Sequence, residues 1–308
     1  MDKSLYSKLS KVCLKESSAD FIFKDALIFD VYTGKFYPGD VAVKHGYIAG
    51  IGNGFLGKNC IDCKGKYLLP GFIDAHLHLE STMVSPNELI STAALFGTTT
   101  FIVDPHEACN VSGSAGIDYI LQQSEKSPAN VYLMLPSCVP ATKIDDNGAV
   151  FSAKDMLPYL ENPRILGLGE VMDAESVINS NQEIWDKLEL MQGKIMDGHA
   201  PFLSKRDLSA YALSGIKTDH EAVDFSYALE EVRNGLHVHV REGSAARNLE
   251  AIIKGILTEG IDTHCFSFCT DDKHIEDILE EGHISHSIRK AIALGLHMEK
   301  AYQMATIN

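Results

Sequence analysis

The sequence predicts an α/β protein, a (β/α)8 TIM-type barrel over residues 69–308 preceded by a small β module over residues 1–68. Three observations carry that expectation. After Leu68 the pattern becomes strand, loop, helix, and it recurs eight times in about 240 residues, which suits a closed parallel barrel better than an open sheet. Many helical segments open on a capping residue and close on glycine, as at Phe96-Gly97 and Asn234-Gly235. Histidines or carboxylates recur at seven strand ends of eight, all on what would be one rim.

In chain order, residues 1–18 place Leu5, Leu9 and Val12 at near-helical spacing and predict a short helix. From Asp20, β-type runs at 21–23, 26–29, 39–43 and 47–51 are separated by turns such as Tyr32-Thr33-Gly34 and Lys44-His45-Gly46. Barrel strands are expected at 71–78, 98–104, 131–136, 165–170, 194–199, 215–219, 237–240 and 265–270. Helices are expected at 87–96, 116–124, 152–160, 182–191, 204–213, 222–234, 244–257 and 284–296.

Composition narrows the partners. At 308 residues and 45% hydrophobic the chain can bury a large core. A net charge of −15 and a pI of about 5.3 argue against a nucleic-acid partner, which needs clustered Lys and Arg. The seven cysteines are odd in number and scattered, which suggests a reducing, cytoplasmic compartment. Cys60-x-x-Cys63 lacks the second pair of a structural zinc site. The first 18 residues have no apolar core, and no run of about 18 apolar residues occurs, so neither a signal peptide nor a membrane partner is expected.

In such a barrel the chemistry stands at the C-terminal ends of the strands. Strand one ends in His76-Leu77-His78, strand two in Asp104-Pro105-His106-Glu107 and strand four in Glu170. Strand five ends in Asp197-Gly198-His199 and strand six in Asp219-His220-Glu221. Strand seven runs into Arg241-Glu242-Gly243-Ser244, and strand eight ends in Thr270-Asp271-Asp272. Strand alternation over 72–79 puts Asp74, His76 and His78 on one face together with Phe72. Two imidazoles so placed can reach one ion at about 2.0–2.1 Å. A lone histidine at a strand end is usually structural; recurrence on one rim points to a metal centre. Mixed His and carboxylate donors suit Zn, Mn or Fe rather than Ca or Mg, and Glu170 is placed to bridge two ions. Asp271 reads as a ligand, a general base or both, and Asp272 as a cap or a support for the ligands. His237 and His239 read as core or supporting groups, His283 and His286 as capping or loop-packing groups, and Trp185 as packing.

Together these residues resemble the amidohydrolase superfamily, and within it the bacterial-type adenine deaminases. The stretch from Leu69 to His78 marks the superfamily. More specific are Asp104-Pro105-His106-Glu107, Gly169-Glu170-Val171-Met172, Asp197-Gly198-His199-Ala200-Pro201, Thr218-Asp219-His220-Glu221 and Arg241-Glu242-Gly243-Ser244-Ala245, and Glu281-Gly282-His283 matches as well. The resemblance runs from about Asp20 to Asn308. It implies a barrel with a composite β-sandwich built from segments before and after it. It implies hydrolytic deamination of adenine to hypoxanthine and ammonia, a purine-salvage step.

By position, the resemblance implies a metal shell of His76, His78, Glu170, His199, His220 and Asp271, holding two divalent ions, Mn or Fe ahead of Zn. Glu170 stands where many relatives carry a carboxylated lysine, so a plain carboxylate bridge is expected. Asp104 and His106 become an additional pair near the metals, and Asp271 and Glu170 the catalytic carboxylates. Glu107, Arg241, Glu242 and Ser244 become candidates for holding the purine, with Glu170, Glu242 or Glu107 protonating ring N1. Family members run further than this chain, which stops after the helix following strand eight. The module is therefore expected to lack its C-terminal partner strands and to expose an apolar flank, and the chain to self-associate as a homo-oligomer. Two other readings fit some of the same residues: an amidohydrolase opening a cyclic amide or acyl-amino acid, and a catalytically inactive metal-binding fragment.

Overall fold

The computed structural model describes residues 1–142 and 144–308, and the chain divides into two compact units, Met1–Pro70 and Gly71–Asn308. In the first, helix Lys3–Cys13 starts where Asp2 Oδ1 accepts from Leu5 N at 2.8 Å. Five strands follow: β1 (Ala19–Asp30), β2 (Lys35–Lys44), β3 (Tyr47–Gly52), β4 (Gly57–Asp62) and β5 (Tyr67–Leu68). They form one sheet in the order β3-β2-β1-β4, with β5 also paired to β1. The runs expected separately at 21–23 and 26–29 belong to the single strand β1, bent by a bulge at Asp25, whose φ is 57° and whose N–H donates to Asp40 Oδ1 at 2.9 Å. Val12, Ala19, Ile22, Ala42 and Phe55 form one small core and Ala26, Ile28, Val41 and Cys63 another. Tyr47, Ile48, Ile51 and Tyr67 are exposed.

The second unit is the barrel. Its eight strands are β6 (Phe72–Leu77), β7 (Thr98–Val103), β8 (Asn130–Leu135), β9 (Ile165–Val171), β10 (Ile195–Gly198), β11 (Thr218–Asp219), β12 (His237–Arg241) and β13 (Phe266–Cys269). All neighbours pair parallel and in chain order. Closure between β13 and β6 rests on one bridge, Leu77 to Asp271, in which Asp271 N donates to His76 O at 3.0 Å. Outward-facing Leu77, Phe101, Val103, Leu133 and Leu168 pack against Leu89, Ile90 and Ala93 of helix Pro86–Leu95 and its neighbours. A second cluster joins Val238, Val240, Phe266 and Phe268 to helices Leu249–Glu259 and Ile284–Ala293.

Several boundaries differ from expectation for local reasons. The helix expected at 152–160 is a single turn, Ala153–Met156, continued by a tighter turn Leu157–Tyr159 containing Pro158, which brings no N–H. The helix expected from 222 starts at Phe225, because Asp224 caps Tyr227 N at 3.0 Å. The helix expected from 244 starts at Leu249. Residues ahead of it are held as a loop, with Ser244 N donating to Asp272 O at 2.8 Å and Asn248 N to Arg241 O at 2.9 Å. Helices His106–Ser112, Ala174–Ile178, Ile275–Glu281 and Met298–Met304 were not expected.

Strand β6 departs from simple alternation. Between Asp74 and Leu77 three residue steps on β6 pass two steps on β7, from Phe101 to Val103. This one-residue bulge re-aims the side chains beyond it. Ile73 and Ala75 line the barrel interior with Met134, Leu166 and His239, whereas Phe72 stacks outward on Tyr302 at 6.4 Å. Asp74 therefore lies on the outer face, opposite to His76 and His78, and not beside them as strict alternation predicts.

Candidate metal centre

The barrel rim converges on a set of buried donors. The bulge and the end of β6 bring His76 and His78 inward, Nε2 to Nε2 at 3.2 Å. Two donors on one tetrahedral ion at about 2.0–2.1 Å lie about 3.3 Å apart, so this spacing fits a shared cation. Each ring is oriented through its other nitrogen. His76 Nδ1 donates to Asp197 Oδ2 at 2.7 Å, and His78 Nδ1 donates to Asp104 O at 2.8 Å. Both Nε2 lone pairs are left facing inward.

Glu170, near the end of β9 and 3% exposed, sits at the middle. Its Oε1 is 3.2 Å from His106 Nδ1 and 3.5 Å from His78 Nε2, and its Oε2 is 2.6 Å from His199 Nδ1 and 3.3 Å from His220 Nε2. Burial pushes its acidity one way and the surrounding histidines push it further the other, so the carboxylate stays ionised well below the usual range. Asp271 Oδ1 is 3.1 Å from His78 Nε2 and 3.7 Å from His76 Nε2, while Oδ2 accepts from Arg241 Nη1 at 2.7 Å. Despite burial, His78, His220 and His76 hold the Asp271 carboxyl well below its ordinary value. Burial opposes protonation of His220, but Glu170 and Asp271 raise it to about 9. Burial and the neighbouring His78 push His106 down to about 4.

Asp104 supports Glu170 from below: Oδ2 accepts from Glu170 N at 2.8 Å, and burial together with the Glu170 charge raises it to about 8. Gly169 makes this approach possible, since a Cβ there would stand 2.3 Å from Asp104 Oδ2.

The predicted shell of His76, His78, Glu170, His199, His220 and Asp271 is thus brought together, with Asp104 and His106 beside it. Arg241 joins it through Asp271 and Glu221. Glu107 lines a cavity of about 500 Å³ beside His106, with Asn110, Cys138 and Met172. Glu242 and Ser244 are directed elsewhere: Glu242 is fully buried and accepts from Lys290 Nζ at 2.7 Å, and Ser244 Oγ donates to Asp277.

Two residues absent from the predicted set stand in the centre. Asp197 orients His76, and Glu221 lies 3.7 Å from His220 Nε2. Alternation would send Glu221 away from His220, but β11 ends at Asp219, so both side chains turn inward from a loop. The donors fall into groups able to hold an ion: His76, His78 and Asp271; His76, Glu170 and His220; His78, His106 and Glu170; and His199, His220 and Glu221. Imidazole nitrogens mixed with carboxylate oxygens, most of them buried and already turned inward, fit a divalent transition metal.

Residues 67–308 match the amidohydrolase family, a metal-dependent family. An adenine deaminase of Desulfitobacterium hafniense (strain Y51) is 56% identical over 307 residues, covering 100% of this chain and 54% of the relative. Adenine deaminase 2 of Carboxydothermus hydrogenoformans is 44% identical over 300 residues, covering 97% and 52%. The chain spans about half the length of the curated relatives it matches. Among solved structures, a D-hydantoinase superposes with a TM-score of 0.64 at 16% identity, covering 92% of this chain and 79% of that one. A dihydroorotase does so at 0.60 and 15%, covering 94% and 83%. These two likenesses concern the fold. With the family matched across the whole barrel, and the barrel rim carrying its cluster of inward-turned histidines and carboxylates, the chain belongs to the amidohydrolase family.

Proposed function

We propose that this chain carries the catalytic barrel of an adenine deaminase, converting adenine and water to hypoxanthine and ammonia. The observation that carries the reading is the 56% identity to an adenine deaminase over all of this chain. His76, His78 and Asp271 would hold one divalent ion, Mn or Fe ahead of Zn, and Glu170, His199 and His220 would hold a second. Such ions, when bound, polarise the substrate and lower the pKa of water at the site toward neutrality.

The side chains divide the remaining work. Asp271 takes the proton of the attacking water and passes it to the departing ammonia, with Arg241 fixing the carboxylate through Oδ2. Arg241 donates through Nη1 and Nη2 to Asp271 and Glu221, so it serves to hold Asp271 rather than the purine. For ring N1, Glu170 faces four histidines and Glu242 is paired with Lys290, which leaves Glu107 on the open cavity. Burial and the adjacent Glu80 raise the Glu107 carboxyl, favouring the protonated form that such a donor requires. We also infer a cytoplasmic setting, with all seven cysteines free. Among the described residues no helix is long and apolar enough to cross a membrane.

The test is hydrolysis by the manganese-loaded chain, beside a full-length relative, of adenine, read as ammonia release, of a dihydropyrimidine, read as the ring-opened acid, and of an acyl-amino acid, read as the free amino acid. Turnover of adenine alone is expected. Turnover of another member of the panel, or none of adenine while the relative is active, would overturn the reading.

A further inference from the structure

Asp74 is a fully buried carboxyl in the outer layer of the barrel, where Leu77, Phe101 and Val103 are its apolar neighbours in the strands. Its oxygens are spent on the seam between β6 and β13. Oδ1 accepts from Thr270 N at 3.0 Å and, at a long 3.4 Å, from His76 N; Oδ2 accepts from Thr270 Oγ1 at 2.5 Å. Behind it stands His283, also fully buried. His283 Nε2 is 3.2 Å from Asp74 Oδ2, off the line of a hydrogen bond, and its Nδ1 is 3.0 Å from Thr98 Oγ1. One carboxyl therefore grips both sides of the Leu77–Asp271 bridge in the seam.

What it grips matters for the donors. The bond to His76 N spans the bulge that turns His76 inward. The two bonds to Thr270 fix the residue before Asp271, and Asp271 has φ of +57°, the left-handed region that a side chain other than glycine occupies only when its surroundings enforce it. Asp271 N and O in turn bond His76 O at 3.0 Å and His78 N at 3.3 Å. His76, His78 and Asp271 are one of the groups able to hold an ion.

We propose that Asp74, backed by His283 and acting through Thr270, is a positioning residue that sets the geometry of the His76–His78–Asp271 ion site. It touches no ion and lies on the far face of the strand. The proposal rests on the two-ion reading above, and it separates the two sites: among the described residues Asp74 makes no hydrogen bond to Glu170, His199 or His220.

The test is manganese titration of the whole chain, followed by electron paramagnetic resonance and calorimetry, for Asp74→Asn, Thr270→Val and His283→Gln. An outer partner of a metal ligand typically contributes about 10- to 100-fold in affinity. Asp74→Asn and Thr270→Val are expected to weaken one manganese site by about that factor and leave the other within about twofold. His283→Gln, which keeps a donor, should fall between them and the wild type. Thr270→Val keeps the backbone bond and serves if Asp74→Asn does not fold. Equal weakening of both sites, in step with a lower melting temperature of the metal-free chain, would reduce Asp74 to a structural residue and overturn the proposal, as would wild-type affinities in both variants. A wild-type chain binding a single ion would overturn the two-ion reading; the positioning role then stands or falls on whether Asp74→Asn weakens that ion.

Discussion

Glu231→Gln should stabilise the chain, by an amount that grows with pH. Glu231 lies on helix Phe225–Arg233, fully buried beside Asp219, and neither of its carboxyl oxygens finds an aligned hydrogen-bond partner. Burial first, then the Asp219 charge, push the group from 4.5 up to about 11. A carboxyl raised in the folded state contributes stability that is complete below its unfolded value and is lost as pH rises toward the folded one. The window here therefore runs from about 4.5 to about 11. At pH 7 folding must take up a proton that the unfolded chain has released. The 2.5 pH units between 4.5 and 7, at more than about 1 kcal/mol each, make that cost about 3 kcal/mol, wherever above 7 the folded value lies.

Glutamine keeps the shape and needs no proton, so most of this cost disappears. Urea unfolding of both proteins between about pH 5 and 9 measures it. The wild type should fall away from the variant by up to about 1.4 kcal/mol per pH unit, one proton's worth, with little difference at the acid end. Equal pH slopes, or a variant less stable than the wild type near pH 8, would refute the reasoning.

Two further perturbations probe the centre. Gly169→Ala would place a methyl 2.3 Å from Asp104 Oδ2, forcing Asp104 off Glu170 N. A loss of about 1–3 kcal/mol in urea unfolding is expected, and an unshifted midpoint would contradict it. Stripping divalent metal with a chelator should lower the melting temperature, and restoring manganese at about 100 times its dissociation constant should return about 2.7 kcal/mol for each ion bound. A melting temperature insensitive to manganese would argue against a metal centre built from these donors.

Much of the architecture was legible because its signals are local. Strand, helix and glycine punctuation recur, and histidines stand at strand ends, so eight barrel strands and the converging donors could be read from the chain. Pro158 and the Asp224 cap moved two helix boundaries locally, and the other misreadings come from contacts between residues apart in the chain. Nothing near residue 244 says that Asp272 O and Arg241 O will hold the segment as a loop until Leu249. The face of Asp74 depends on a bulge set by pairing with β7. Asp197 and Glu221 stand at strand ends in the sequence, but what they do there depends on His76, 121 residues before Asp197, and on a β11 that is only two residues long. Glu242 and Ser244 sit in a motif that suggests substrate contact, yet Lys290 and Asp277 already occupy them.

The seam between β6 and β13 also bears on how the protein is made. Asp74 and Thr270, which join its two sides, are 196 residues apart in the chain. During synthesis His76 and His78 emerge long before Asp271, and at that stage they are two imidazoles without a carboxylate. Until Asp271 is made, the group of His76, His78 and Asp271 is only this pair. Its carboxylate comes with nearly the last stretch of the barrel, when loop closure over almost the whole unit has been achieved. That group is thus completed only when the seam itself can close, whereas donors such as Glu170 and His220 are already in the chain.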